Sequence, residues 1–294
     1  MKKWSRNSRW GENLKGAKSS EKGSIPDSLI FKALLSQGKK EEALKLSENI
    51  LAQSRILDQR DFETEAWIRM ERALLGEMTN TDLGQELRWC VDRLASVAPG
   101  SPLHGISLLN LAAWHRNQDE HMMSLVTLSD ISSDAGHSSD IIGLSRLESG
   151  RILALIGDLE PAMRHLWIAM RRLSSVDMPA ESIVCAIEWL DIALDEIEAD
   201  SPMMDERIAK AKPRDSPGMS TVPSNPNDIR ECVELILSVA LIDVSGTQRD
   251  DLGLVLDASE AILEPKWKTE IEKRSHEIQD SRLLEALQSW SITN

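Results

Sequence analysis

The sequence predicts an all-α fold, an α-solenoid of antiparallel helix hairpins closed by a C-terminal helical cap, and three observations predict it. Alternating Val/Ile/Thr runs bounded by turn residues are nearly absent, which removes the signal for strands. Apolar residues instead recur every three or four positions. In Ser182 to Ile197, one stripe holds Ile183, Ala186, Ile187, Leu190, Ala193, Leu194 and Ile197. In Glu41 to Leu57, Ala43, Leu44, Leu46, Ile50, Leu51 and Leu57 do the same. Such a stripe lies on one helix face and must be buried against a neighbour. The third observation is the spacing of turns: Gly38, Gly76, Asn117 and Gly157 follow one another at 38, 41 and 40 residues, and a fifth turn near Asp200 continues the series. Two helices per period of about 40 residues is the pattern of stacked hairpins, none of which buries its apolar face alone.

In order, the spacing predicts helices over 26–36, 40–57, 60–77, 81–97, 101–116, 119–133, 138–156, 159–175 and 179–199, then 228–244, 248–263 and 266–291. Pro26, Pro102, Pro161 and Pro179 stand where a first helical turn tolerates a missing N–H. Asp27, Ser101, Asp158 and Thr247 are candidate N-caps. Gly38, Gly76, Gly100, Gly136, Gly157 and Gly246 mark helix ends. Residues 200–227, with Pro202, Pro213, Pro217, Pro223 and Pro226, read as a loop or linker. The resulting division is a basic N-terminal arm (1–24), a helical-repeat domain (25–199), the Pro-rich segment (200–227) and C-terminal helices that cap the repeats (228–294).

Two of the turns carry a further signal. Gly38-Lys39-Lys40-Glu41-Glu42-Ala43-Leu44 resembles the inter-helix turn of a tetratricopeptide repeat. Gly150, Leu153, Gly157, Ala162, Leu166 and Ala169 fit that family's pattern of small residues for close approach and large ones for filling. The resemblance covers two hairpins and implies a right-handed superhelix with a concave binding groove. Two departures stand out: the period exceeds the family's usual value of about 34 residues, and Ser174 replaces the proline after the second helix. Armadillo- or HEAT-like pairs remain an alternative.

Composition bounds the function. The 294 residues include 34 basic and 48 acidic side chains, a net charge of -14, which argues against a general nucleic-acid binder. A hydrophobic fraction of 41% excludes wholesale disorder. There are nine Trp, two Phe and no Tyr, so no tyrosine can act as nucleophile, general acid or phosphosite. Cys90, Cys185 and Cys232 lie too far apart for a short-spaced zinc or redox motif and read as reduced, buried side chains. The basic start lacks the apolar run of a secretory signal, and the apolar stretch from Leu235 to Val244 is too short to span a bilayer. The expectation is a cytoplasmic protein.

No residue set points to catalysis, a metal or a cofactor. His104, His115, His121 and His137 share one hairpin but not a zinc-helix spacing. Gly100-Ser101-Pro102 and Gly143-Leu144-Ser145 form neither a nucleophile elbow nor a phosphate loop.

Charge is sharper. Glu181, Glu188, Asp191, Asp195, Glu196, Glu198 and Asp200 occupy one helix without a lysine or arginine. This reads either as a solvated face paired with Arg164, Arg171 and Arg172 or as a docking surface for a basic partner segment. The arm carries +5 over residues 1–23, leaving -19 for the rest, so it could also gate that face. Trp4 and Trp10 within it allow weak nucleic-acid contact. Trp67, Trp89, Trp114, Trp167 and Trp189 read first as core, with one or two as groove anchors.

The function expected is a noncatalytic scaffold or adaptor binding a protein or peptide through Glu188, Asp191, Asp195, Glu198, Trp114 and Trp189. The alternatives are a regulator touching nucleic acid through the arm and a helical enzyme or regulatory domain with an acidic site.

Overall fold

A computed structural model describes residues 26–76, 78–194, 226–242 and 249–289. All regular structure among them is helical: α1 (Asp27–Ser36), α2 (Lys40–Ser54), α3 (Phe62–Leu74), α4 (Asn80–Val97), α5 (Pro102–Asn117), α6 (His121–Ser129), α7 (Ser139–Leu155), α8 (Leu159–Ser175), α9 (Pro179–Leu194), α10 (Pro226–Ala240), α11 (Arg249–Ala261), α12 (Lys266–Lys273) and α13 (Ser281–Ser289). Short 3-10 turns cover Leu57–Gln59 and Ser275–Glu277. The chain divides into two compact units, Met1–Ile141 and Ile142–Asn294.

Helices start where polar caps are available. Asp61, Thr79 and Ser101 accept hydrogen bonds from the amides of Thr64, Asp82 and His104. Each satisfies one of the donors that a helix leaves free at its start. Asp158 stands at an N-cap without bonding through its side chain, and Asp27 lies inside the first turn behind Pro26. Thr247 and Gly246 lie outside the described residues.

Several helices end in one recurring way. At Gly38, Asp119, Gly157, Asp177 and Leu263 the backbone turns left-handed just after a helix, and Gly136, expected to mark a helix end, does the same in the turn that follows α6. The next amide then bonds a carbonyl five residues back: Lys39 to Leu34, Glu120 to His115, His137 to Ser132, Asp158 to Leu153, Met178 to Leu173 and Glu264 to Ser259. This cap satisfies orphan carbonyls and reverses the chain. The turn placed at Asn117 pivots on Asp119, whose short polar side chain tolerates the left-handed region.

In the first unit each helix from α1 to α6 packs on the next. Phe31, Ala43, Ile50 and Ile68 join α1, α2 and α3, with the Trp67 ring edge-on to Phe31 at 5.6 Å. The Cys90 thiol donates to the Ala66 carbonyl at 3.4 Å, tying α4 to α3. Helix α5 is buried on every side from His104 to Ala112. Its polar groups are met from neighbours: Asn110 reaches the Met70 sulfur, and Ser124 of α6 donates to the Ala112 carbonyl. Glu65, 1% exposed, receives Arg55 and Arg60 and lies 3.8 Å from Arg69. Burial alone would push its carboxyl up, but the hydrogen bonds from Arg55 and Arg60 hold it below the usual carboxylate value.

The second unit is joined by close approach. A Cβ on Gly150 would lie 2.8 Å from Leu166 Cγ, and one on Gly143 would lie 2.8 Å from Leu173, so α8 rests on bare α7 backbone. Helices α8 and α9 share a core of Met163, Leu166, Met170, Cys185 and Trp189, and Ser182 donates to the Met170 carbonyl. Helix α10 packs on α9, α11 packs on both α9 and α10, and α11 also carries α12 and α13. The continuous helix expected over 266–291 is two helices, because Asp280 accepts from the amides of Arg282 and Leu283 and starts a new one. Pro226, read as the last linker proline, is the first residue of α10. The helix expected over 119–133 ends at Ser129, and that over 40–57 at Ser54.

Two caps test this geometry. Leu263 is left-handed at φ 55 and 72% exposed, whereas Gly100 at φ 73 would bring a Cβ to 2.2 Å of the Ala135 carbonyl oxygen. Leu263→Gly is expected to raise stability by about 1 kcal/mol in urea unfolding, and Gly100→Ala to lower it by at least ~2 kcal/mol.

Candidate functional site

The first unit holds a groove of about 380 Å³ along α4 and the end of α5. Its floor exists because α4 carries a glycine inside a helix. A Cβ on Gly84 would lie 2.3 Å from Trp114 Cζ2, so the indole rests on bare backbone. The indole N–H donates to both Asn80 oxygens, the carbonyl at 3.2 Å and Oδ1 at 3.1 Å. The amide of Gln118 closes the same corner by exchanging hydrogen bonds with the Asn80 side chain. Trp114 is thereby fixed in orientation yet only partly covered.

Thr81, Gln85 and Arg88 of α4 line one side, with Glu120 opposite. Beneath them His115 is 2% exposed. Its Nδ1 lies 2.6 Å from Glu120 Oε2, and its Nε2 lies 3.5 Å from Arg88 Nη2. Arginine can only donate, so in the neutral ring Nε2 accepts and the Nδ1 proton goes to Glu120. Arg88 is exposed and makes no ion pair among the described residues. The groove therefore offers an aromatic floor, amide donors and acceptors, and one cation, which suits holding an extended polar segment.

The acidic helix looks different in place. Glu188 is gripped by Arg151 of α7, with Nε at 2.9 Å and 3.0 Å from its two oxygens and Nη2 at 2.6 Å. Arg151 also donates to Glu148 at 2.9 Å. Burial opposes the charge of Arg151, but Glu188 and Glu148 outweigh it and raise its proton affinity. Of the arginines expected from the preceding helix, Arg164 pairs with Glu160 at 3.7 Å and Arg171 with Glu231. Asp191 is exposed. Asp195, Glu196, Glu198 and Asp200, the basic arm with Trp4 and Trp10, and residues 200–225 lie outside the described residues.

The other tryptophans divide by environment. Trp189 is fully buried, 5.2 Å from the Trp167 ring, and offers no surface. Trp89 lies beneath Arg69, whose guanidinium is 3.5 Å from its ring centroid. Trp67 packs on the α1–α3 core and Trp267 is 3% exposed, while Trp290 lies outside the described residues. Met122 and Met123 are 66% and 47% exposed.

Cys90, Cys185 and Cys232 are free and buried, and burial pushes the Cys90 thiol up to about 12 and the other two higher as well. A buried protonated thiol is a poor nucleophile. Among the described residues no group of three or more His, Cys, Asp or Glu is placed to hold a metal ion, and no helix is long and apolar enough to cross a membrane.

Of the residues singled out from the sequence, Trp114 alone lines this groove. Asn80, Arg88 and Gln118 were missed because each reads as an ordinary surface residue. Gly84 did carry a signal: a glycine amid a helical pattern marks a close approach. Compared with models of known protein families and with curated proteins, the chain matches none.

Gly84→Ala is expected to lift the indole off α4. The measurable outcomes are a stability loss of about 1–3 kcal/mol and a red shift of Trp114 emission, read as the difference from Trp114→Phe backgrounds.

Proposed function

We propose that the protein is a noncatalytic, cytoplasmic scaffold that binds a protein or peptide segment in the Trp114 groove. In this reading its helix pairs are tetratricopeptide-like repeats wound right-handed, and the C-terminal helices cap them. The observation that carries the binding role is the indole of Trp114, oriented by Asn80 and floored by Gly84, beside the exposed Arg88. Tryptophan and arginine are the side chains most often responsible for binding energy at interfaces. The left-handed turns at Gly38, Gly76, Asp119 and Gly157, each between the helices of one pair, support the repeat reading. So does the contact of Gly150 with Leu166 and Ala162, residues on which the tetratricopeptide resemblance rests.

The acidic helix supports this reading less well. Glu188 is engaged by Arg151, and a basic partner would have to displace a bidentate arginine. A partner for the groove is better matched by polar backbone and an apolar side chain than by a run of lysines.

The test is affinity capture with the full chain, followed by mass spectrometry, comparing the wild type with Trp114→Ala and Arg88→Glu. Loss of a hot-spot side chain should reduce recovery of a bound protein about tenfold or more, at unchanged helical circular dichroism. Recovery that is equal for all three proteins would remove the groove from the interaction.

A further inference from the structure

Outside the groove, the connection from α6 to α7 touches the start of α5, and two imidazoles meet there. His104, in the first turn of α5, and His137, near the end of the connection, have ring centroids 5.2 Å apart and planes at 27°. They are 8% and 5% exposed. The Gly100 amide donates to His104 Nδ1 at 3.2 Å. His137 Nδ1 lies 3.4 Å from the Ser132 amide nitrogen and 3.3 Å from its carbonyl oxygen. His137 Nε2 is buried without a hydrogen-bond partner.

The surroundings leave little slack. A Cβ on Gly105 would lie 3.1 Å from His137 Cδ2, and one on Gly100 would lie 2.2 Å from the Ala135 oxygen. Acids lie along the connection. Asp130, at the end of α6, acts on His104; Asp134 and Asp140 lie in the connection and the first turn of α7. The last turn of α4, Leu94 to Val97, carries no charge.

Because Gly100 donates to it, Nδ1 of His104 is an acceptor and the neutral ring carries its proton on Nε2. A second proton would set two donors against each other and place a cation against the other imidazole in a site mostly closed to water. We propose that the His104–His137 stack is a pH-operated latch, which fastens residues 130–138 to the start of α5 when neutral and releases them on proton uptake.

The sign follows from the environment. Burial first, then His137, pushes His104 below the usual imidazole value, with Asp130 opposing. The open form therefore binds a proton more readily than the closed form. Latch stability is complete above the free imidazole value of about 6.5 and falls as pH drops below it, about tenfold per pH unit for each proton taken up.

Amide hydrogen exchange on the full chain between pH 7.5 and 5, corrected for intrinsic exchange, reads this directly. Protection of the Gly100 and Ser132 amides should fall about tenfold per pH unit below 6.5, while amides of α3 keep theirs. His104→Asn retains an acceptor for Gly100 but cannot take up the proton, so its protection should be flat with pH. If that variant does not fold, titration of the His104 C2–H resonance in the wild type decides instead. A midpoint below the free imidazole value supports the latch, and one at or above it overturns it. Protection that is flat with pH in the wild type, or lost in α3 in parallel, also overturns it.

Discussion

A helix that ends on a left-handed residue must turn back on itself, and much of this architecture depends on that local constraint. The same hydrogen-bonded turn closes α1, α5, α8 and α11, among others, whether the pivot is Gly38, Asp119, Asp177 or Leu263. The bond from the following amide is made by backbone alone, so the turn tolerates different side chains at its pivot. Each reversal sets a helix beside its predecessor. The apolar stripes of sequence neighbours then face one another, and contacts accumulate between consecutive helices.

Close antiparallel neighbours leave little room between backbones, and glycines settle where they meet. Gly150 and Gly143 admit Leu166 and Leu173, and Gly84 admits the ring of Trp114. The first two contacts fill a core. The third yields a groove, because an indole lying on backbone near a helix start keeps part of its surface toward solvent while Asn80 fixes its N–H. One packing device thus gives cohesion in one place and a recognition surface in another.

Two enclosed carboxylates are held by arginines. Glu65 is buried under Arg55 and Arg60, and Glu188 lies in the fork of Arg151. Exposed pairs such as Arg164 with Glu160 contribute only about 0–1 kcal/mol, so the count of charges says little about which of them matter. What matters is enclosure. A carboxylate that is 1% exposed must keep its partners, whereas Asp191 on the open face need not. The buried imidazole of His104 extends the same logic to a group whose charged form burial disfavours.

Helix content, most helix ends and the absence of strands among the described residues were legible in the sequence because they are set by local chemistry. Periodicity marks the buried face, and capping residues mark the ends. The cut at Asp280 was hidden, since an aspartate in a long polar helix pattern reads as surface until its oxygen is seen to accept two amides. Tryptophan roles were equally hidden. Trp189 and Trp114 both lie within helices among apolar residues, and only the neighbours supplied by other helices bury one against Trp167 and leave the other lining a groove over Gly84. The acidic run likewise looked free of arginine, because Arg151 lies 37 residues before Glu188. By itself the sequence determined a helical chain whose elements each need a partner. Which side chains meet across those elements was decided by tertiary packing, because contacts between residues far apart in the chain have no local signature.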